Sequence, residues 1–275
     1  MNSKMQQLQS IIKNSSPFAI AFSGGVDSSF LAGLAWKLRP GETVALTGDS
    51  VFLSRLDRAN ALEVAQTIGI SHEMVPVDIM TLNIARNGHD RCYLCKKKML
   101  GALKQRASIL GFPILFDGVN IDDLNDYRPG IKAAQELEVL SPLVKSGFTK
   151  DDIRRESKKM ALCTWDMPPQ SCLATRVPYG DTLTLKILAR IELCEAYLTG
   201  LGFNGIRVRC HGDMARIESP SHMISQIADS TAREEIIPFF KEQGFNLITL
   251  DICGYQSDNI SPNHESELLL EPQKS

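Results

Sequence analysis

Short apolar runs alternate with amphipathic stretches along the first 120 residues. The run FAIAF at 18–22 is apolar at every position, which predicts a strand buried on both faces. Short, largely apolar runs at 43–48, 72–77 and 113–118 predict three more strands. Between them the pattern predicts helices over 4–14, 28–38, 53–68 and 95–110, the third with Leu56, Ala59, Leu62, Ala65 and Ile68 near one face. Strand and helix in strict alternation are the mark of βαβ units. The expected fold is α/β, a doubly wound, mostly parallel sheet covered on both faces.

The texture changes near Thr164. The stretch TWDMPPQSCLATRVPYGD holds Pro168, Pro169 and Pro178 in one irregular segment, which predicts a domain junction. Beyond it come a helix over 184–201, strands over 205–210 and 214–219, one or two helices within 222–243 and a strand over 247–251. A first domain over 1–165 and a smaller α+β substrate or oligomerisation domain over 166–256 are therefore expected, since 275 residues suit two ordinary domains. Residues 257–275 are polar and acidic apart from ELLL and are expected to be a poorly ordered tail.

Composition narrows the classes. A hydrophobic share of 43% with 23% charged residues fits a folded soluble protein. The net charge of −2 supplies no basic field, so a nucleic-acid partner is not expected. No apolar run reaches the length of a membrane span, and MNSKMQQLQS lacks a signal peptide's apolar stretch, so a cytoplasmic protein with no membrane partner is expected. Seven cysteines, an odd number, argue against a disulfide framework and turn attention to metal or redox chemistry.

The first strand ends in SGGVDSS. Gly24 and Gly25 permit a tight turn and close approach by a ligand. The helix that follows presents backbone N–H groups and a positive dipole end, to which Ser23 and Ser28 add hydroxyls: a seat for phosphate. Asp27 would repel a bare phosphate and makes sense with Mg²⁺ between them. The plainer reading is a helix cap after a tight turn. Strand, S-G-G-x-D-S and helix together resemble the PP-loop family of ATP pyrophosphatases; no Lys follows as in a Walker A loop. The resemblance implies ATP cleaved between its α and β phosphates, adenylation of a substrate oxygen, and displacement of AMP. Thr47 and Gly118, at the ends of strands two and four, are expected adenosine or phosphate contacts.

DRCYLCKKK supplies Cys92 and Cys95, a pair that suits zinc, redox chemistry or half an iron–sulfur site. A third candidate is Cys172, in PPQSCLATRVPYG, with Arg176 close by. Cys210 alternates with Arg207 and Arg209 and so shares the apolar strand face with Ile206 and Val208, while Cys194 has helical core spacing. Cys163 and Cys253 show no partner pattern. The PP-loop, SCLATRVPYGD and IRVRCHGDMARIE together resemble the LarE family of ATP-dependent sulfur transferases of nickel-pincer nucleotide biosynthesis, over about residues 10–255. In one-cysteine members, the cysteine matching Cys172 gives up its own sulfur and becomes dehydroalanine. This chain departs from that form, because Cys92 and Cys95 are also present. It is similar to the branch in which three cysteines hold a 4Fe-4S cluster, whose fourth iron is left for a transferable sulfide.

The resemblance implies a pyridinium-3,5-biscarboxylic acid mononucleotide as substrate, sulfide or another sulfur donor as co-substrate, and a homo-oligomer as the assembly. Arg207 and Arg209, two apart on one strand face, then become candidates for the substrate phosphate, and Arg176 for the substrate. Glu195 resembles an acidic active-site position, against the plainer reading of a surface helix residue. Tyr93 can stack on a ring or simply pack. Three rival functions remain: a tRNA-thiolation enzyme, a non-catalytic nucleotide sensor and an amidotransferase-type synthetase.

Overall fold

The four N-terminal apolar runs pair with one another as parallel strands. The computed structural model describes residues 3–124 and 129–255, so the expectation for the tail over 257–275 lies outside the described residues. The strands are β1 (Phe18–Ala21), β2 (Thr43–Asp49), β3 (Ser71–Pro76) and β4 (Ile114–Phe116), in the order β3-β2-β1-β4. β1 is central: Ile20 stands beside Ala45 on one side and Phe116 on the other. Phe18, Ala19 and Ile20 are fully buried, the outcome expected of a strand covered on both faces.

The helices of this part are α1 (Ser3–Asn14), α2 (Val26–Leu38), α3 (Arg55–Ile68), α4 (Leu82–Ala85), α5 (Arg91–Ile109), α6 (Pro129–Glu136), α7 (Pro142–Lys145) and α8 (Lys150–Lys159). One sheet face packs Phe18 and Ile20 with Leu8, Phe30, Leu31, Val64, Leu143 and Ile153. The other packs Ala19, Val44 and Leu46 with Leu100, Leu103, Ala107 and Ala134. Helices thus cover both faces, and the doubly wound α/β sheet is present.

Three expectations need correcting. α5 begins at Arg91, not at residue 95, so Cys92 and Cys95 both lie in its first turns. On α3, Leu56 and Leu62 are 66% and 46% exposed, while Ala61, Val64 and Ala65 are buried. The buried face is the small-residue one because the loop after β1 lies on it: a Cβ on Gly24 would stand 2.8 Å from Cα of Ala61. Finally, α6 to α8 escaped the apolar pattern. α8 is a polar helix whose signal is instead a capping box between Thr149 and Asp152.

The described residues fall into two compact units. The first runs to Ile84 and resumes from Asp90 to Gln170; the second takes Ala85–His89 and the chain from Ser171 onward. In the second unit, α9 (Leu185–Gly200) is followed by β5 (Arg207–His211), β6 (Met214–Glu218), α10 (Ile224–Ile227), α11 (Ser230–Glu242) and β7 (Leu247–Leu250). β5 and β6 form an antiparallel hairpin, and β7 joins β6 in parallel. Leu188, Ile191, Cys194 and Leu198 of α9 and Val208, Cys210, Ala215 and Ile217 of the sheet are all buried, the expected setting for both cysteines. Cys163 and Cys253 are exposed. The helical stretch over 222–243 is broken at Asp229, which caps α11 by accepting from the backbone N–H of Thr231.

Candidate functional site

In the first unit, the loop between β1 and α2 is closed on itself. Ser28 Oγ accepts from the backbone N–H of Ser23 (3.2 Å) and donates to Gly25 O (3.3 Å). With the Ser28 proton so used, the 3.1 Å contact between the two hydroxyls has Ser23 as donor. Gly24 takes φ +73°, a conformation that a Cβ would strain. Gly25 precedes α2 without a capping side chain, so the first turn, with Asp27 and Ser28, opens on an N-terminus suited to an anion.

That loop borders a cavity of about 470 Å³ at the carboxyl ends of the strands. Ser23, Gly25, Asp27, Ser28, Thr47 and Gly118 line it, so these sequence-derived candidates are gathered in one place; Gly24 shapes the loop behind them. Gly118 packs closely on the start of α2: a Cβ there would stand 3.0 Å from the backbone N of Ser28. Thr47 is buried and donates to Phe22 O at 2.7 Å. Its one proton is thereby spent, so His72 Nε2 is the donor in the 2.8 Å contact with Thr47 Oγ1. Burial holds His72 below its usual pKa, with Glu73 opposing.

Sequence reasoning missed the polar floor of this cavity, which includes Lys96, Asp117, Asp123, Lys150 and Arg154. Asp117 is 1% exposed; its Oδ1 accepts from Val119 N at 3.2 Å, the Ser141 side chain stands beside the carboxyl, and Oδ2 has no partner in full hydrogen-bond geometry among the described residues. Burial pushes its carboxyl up, and nearby Lys96 pulls it back. Lys150 pairs with Asp123 at 3.2 Å. The available signal was the Asp-Gly at the end of the fourth apolar run and the polar NIDD after it; Lys96 was hidden in a run of three lysines that reads as a solvated face.

The second unit gathers Cys172, Arg176, Glu195, Arg207 and Arg209. Cys172 precedes a 3₁₀ turn, Leu173–Arg176. The Arg176 guanidinium, 3% exposed, holds Glu195 at 2.9 and 3.2 Å and also donates to the carbonyls of Ser171 and Cys172. Glu195 in turn accepts from Val208 N on β5. Glu195 is thus not the solvated surface residue of the plainer reading. Arg209 is also buried: it pairs with Glu218, itself fully buried, and donates to Thr175 O. Glu218 takes a second guanidinium from Arg216, the cross-strand neighbour of Arg209. Arg207 lies on the same sheet face, with its guanidinium 5.6 Å from the centre of the Tyr255 ring. Arg216 also lies 3.7 Å from Asp251, so Arg207, Arg209 and Arg216 share this face with Glu218 and Asp251.

Cys92 and Cys95 stand one turn apart on α5, both half-buried, and Arg91 donates to Cys92 Sγ at 3.3 Å. Tyr93 is tied to Glu136 by its hydroxyl (2.7 Å). The pair and its arginine suit thiolate ligation. Among the described residues, no three Cys, His, Asp or Glu side chains come together to hold a metal ion. No described helix is long and apolar enough to cross a membrane.

Comparison with known proteins agrees with this geometry. Residues 7–82 match the asparagine synthase family model, a stretch that includes the loop at 23–28. The chain is 39% identical over 262 residues to the uncharacterized protein slr1717 of Synechocystis, covering 95% of this chain and 98% of that protein. It is 30% identical over 260 residues to pyridinium-3,5-bisthiocarboxylic acid mononucleotide synthase of Lactiplantibacillus plantarum, covering 94% of each. It is also 30% identical over 239 residues to the uncharacterized protein MJ0830 of Methanocaldococcus jannaschii, covering 86% of this chain and 90% of that one. With a PP-loop at its first strand and that likeness along almost its whole length, the chain belongs to the LarE family, that of the pyridinium-3,5-bisthiocarboxylic acid mononucleotide synthase.

Proposed function

We propose that the protein is an ATP-dependent sulfur transferase that converts the carboxylates of pyridinium-3,5-biscarboxylic acid mononucleotide into thiocarboxylates. The observation that carries the reading is the self-closed loop at 23–28, set on an uncapped helix N-terminus at the mouth of the 470 Å³ cavity. The likeness to the Lactiplantibacillus enzyme supports the choice of substrate.

The first unit handles ATP and the second the mononucleotide. A substrate carboxylate oxygen attacks the α-phosphorus, pyrophosphate leaves, and an acyl adenylate results. A sulfur nucleophile then attacks the acyl carbon and AMP departs with the former carboxylate oxygen. The α2 N-terminus with Ser23 and Ser28 orients the phosphates and donates to them. Asp27 and the buried Asp117 carboxyl line the same cavity and together suit a hard cation, so these residues would hold Mg²⁺. Magnesium bound there would neutralise charge on the departing pyrophosphate. Arg207 and its sheet face hold the substrate phosphate; Arg176 and Glu195 fix the Cys172 loop.

For the sulfur carrier, Cys92, Cys95 and Cys172 would hold a 4Fe-4S cluster that supplies a transferable sulfide. Support for this comes from the two thiols on one turn of α5 beside Arg91. Mononucleotide-dependent exchange of labelled pyrophosphate into ATP tests the first half-reaction. Exchange that needs the dicarboxylate is expected; exchange without it, or none, overturns the adenylation step.

A further inference from the structure

We infer that Asn87 is a positioning residue for the Cys172 loop. This rests on the reading of that loop as the sulfur-handling element. Asn87 belongs to Ala85–His89, the short segment that leaves the first unit's chain to pack in the second. It is fully buried and takes φ +55°, a left-handed conformation that asparagine tolerates better than most residues. Its side-chain amide donates to Pro178 O at 2.6 Å and to Val177 O at 3.3 Å, and its own carbonyl accepts from Gly180 N at 3.0 Å. Three hydrogen bonds therefore fix one turn, 177–180, directly after Arg176.

That turn has one hydrogen bond of its own, from the Asp181 N–H to Pro178 O at 3.2 Å. Pro178 has no N–H, and the Val177 N–H goes back to Ala174 O. Without Asn87, the buried Val177 carbonyl would lose its side-chain donor and Pro178 O would keep only the Asp181 N–H. Arg176 grips the start of the loop through the carbonyls of Ser171 and Cys172, and Asn87 grips its exit. Two further contacts back this up: Leu183 N donates to Ala85 O at 2.7 Å, and the rings of His89 and Tyr179 stack at 5.1 Å. Glycine would meet the backbone requirement and an apolar residue would fill the space. Asparagine combines the backbone conformation with two donors.

The test compares Asn87→Gly, which keeps the backbone conformation and deletes the amide, with Asn87→Asp, which keeps the shape and turns a carboxylate on the two carbonyls. Four readouts are taken: mononucleotide-dependent exchange of labelled pyrophosphate into ATP with its KM for ATP, thiocarboxylate formation, thermal unfolding, and the rate of Cys172 alkylation by iodoacetamide relative to the exposed Cys163. Both variants are expected to lower the kcat of sulfur transfer by about tenfold or more. Pyrophosphate–ATP exchange and its KM for ATP should stay at the parent values, and the Cys172 alkylation rate should change while that of Cys163 does not. Parent rates of transfer and of Cys172 alkylation in Asn87→Gly would overturn the inference. So would a parallel fall of both half-reactions with the unfolding temperature. If the parent itself forms no thiocarboxylate, the sulfur-transferase reading fails, and the alkylation rates still decide the role of Asn87.

Discussion

Arg176 and Glu195 are joined by a fork of two hydrogen bonds, 2.9 and 3.2 Å long, with the arginine 3% exposed. Through Arg176 the fork ties α9 to the carbonyls of Ser171 and Cys172. Glu195 also receives the Val208 N–H, so one carboxylate aligns the loop with the edge of β5. Removing one partner strands a buried charge. Glu195→Gln should therefore cost roughly 3–5 kcal/mol of stability and lower sulfur transfer, read from urea unfolding and product formation. A variant as stable and as active as the parent would remove the brace from the account.

Asp27 lies in the first turn of α2 at the cavity, where its carboxylate suits the cation carried with ATP. Asp27→Ala should lower pyrophosphate release by about a hundredfold or more while the protein stays folded. Circular dichroism and a pyrophosphate assay check the two halves. Release at the parent rate, with the dicarboxylate present, contradicts the assignment.

The two arginines of β5 should part company. Arg209 neutralises the fully buried Glu218, so Arg209→Ala should destabilise the second unit by roughly 3–5 kcal/mol. Arg207 lies on the same sheet face with its guanidinium 5.6 Å from the centre of the Tyr255 ring, and Arg207→Ala should chiefly raise the KM for the mononucleotide, by about tenfold or more for a charge-assisted phosphate contact. Steady-state kinetics alongside unfolding curves separate the two. Equal effects of both substitutions on stability and KM would show that the face does not divide in this way.

His72 gives a pH signature. Burial lowers its pKa in the folded protein below the ordinary 6.5, so below that value the unfolded chain binds the proton more readily. Its contribution to stability is complete above about pH 6.5 and is lost as pH falls through the folded value. Asp152 is held far below the usual carboxylate range, chiefly by hydrogen bonds from Lys4 and Arg155 that outweigh its burial, so its own loss comes at much lower pH. The urea midpoint should fall between pH 7 and 5.5 in the parent and less in His72→Gln. The same fall in both would exclude His72 as its source.

Much of the nucleotide end was legible in the sequence because its signals are local. A continuous apolar strand, two glycines and a polar helix mouth occupy one stretch, and each has its own physical reason. What was misread depends on packing. The α3 face was assigned to its leucines, whereas Gly24 needs Ala61 close behind it, a contact that no periodicity encodes. Asp117 reads as half of an Asp-Gly turn, and its burial arises only when β4 enters the sheet. Arg209 was expected to reach for substrate; its pairing with Glu218 became visible once the β5–β6 register brought both to one face.

The central claim is that oxygen on a carboxylate is exchanged for sulfur at the expense of ATP. It is tested most directly by mass spectrometry of the mononucleotide after anaerobic incubation with the reconstituted protein, ATP, Mg²⁺ and sulfide. The account predicts mono- and dithiocarboxylate products, pyrophosphate formed in step with each sulfur, an intact Cys172, and more sulfur transferred than there are protein chains. An unchanged dicarboxylate would contradict the sulfur-transferase reading. Product limited to one sulfur per chain, with Cys172 recovered as dehydroalanine, would contradict the cluster as carrier.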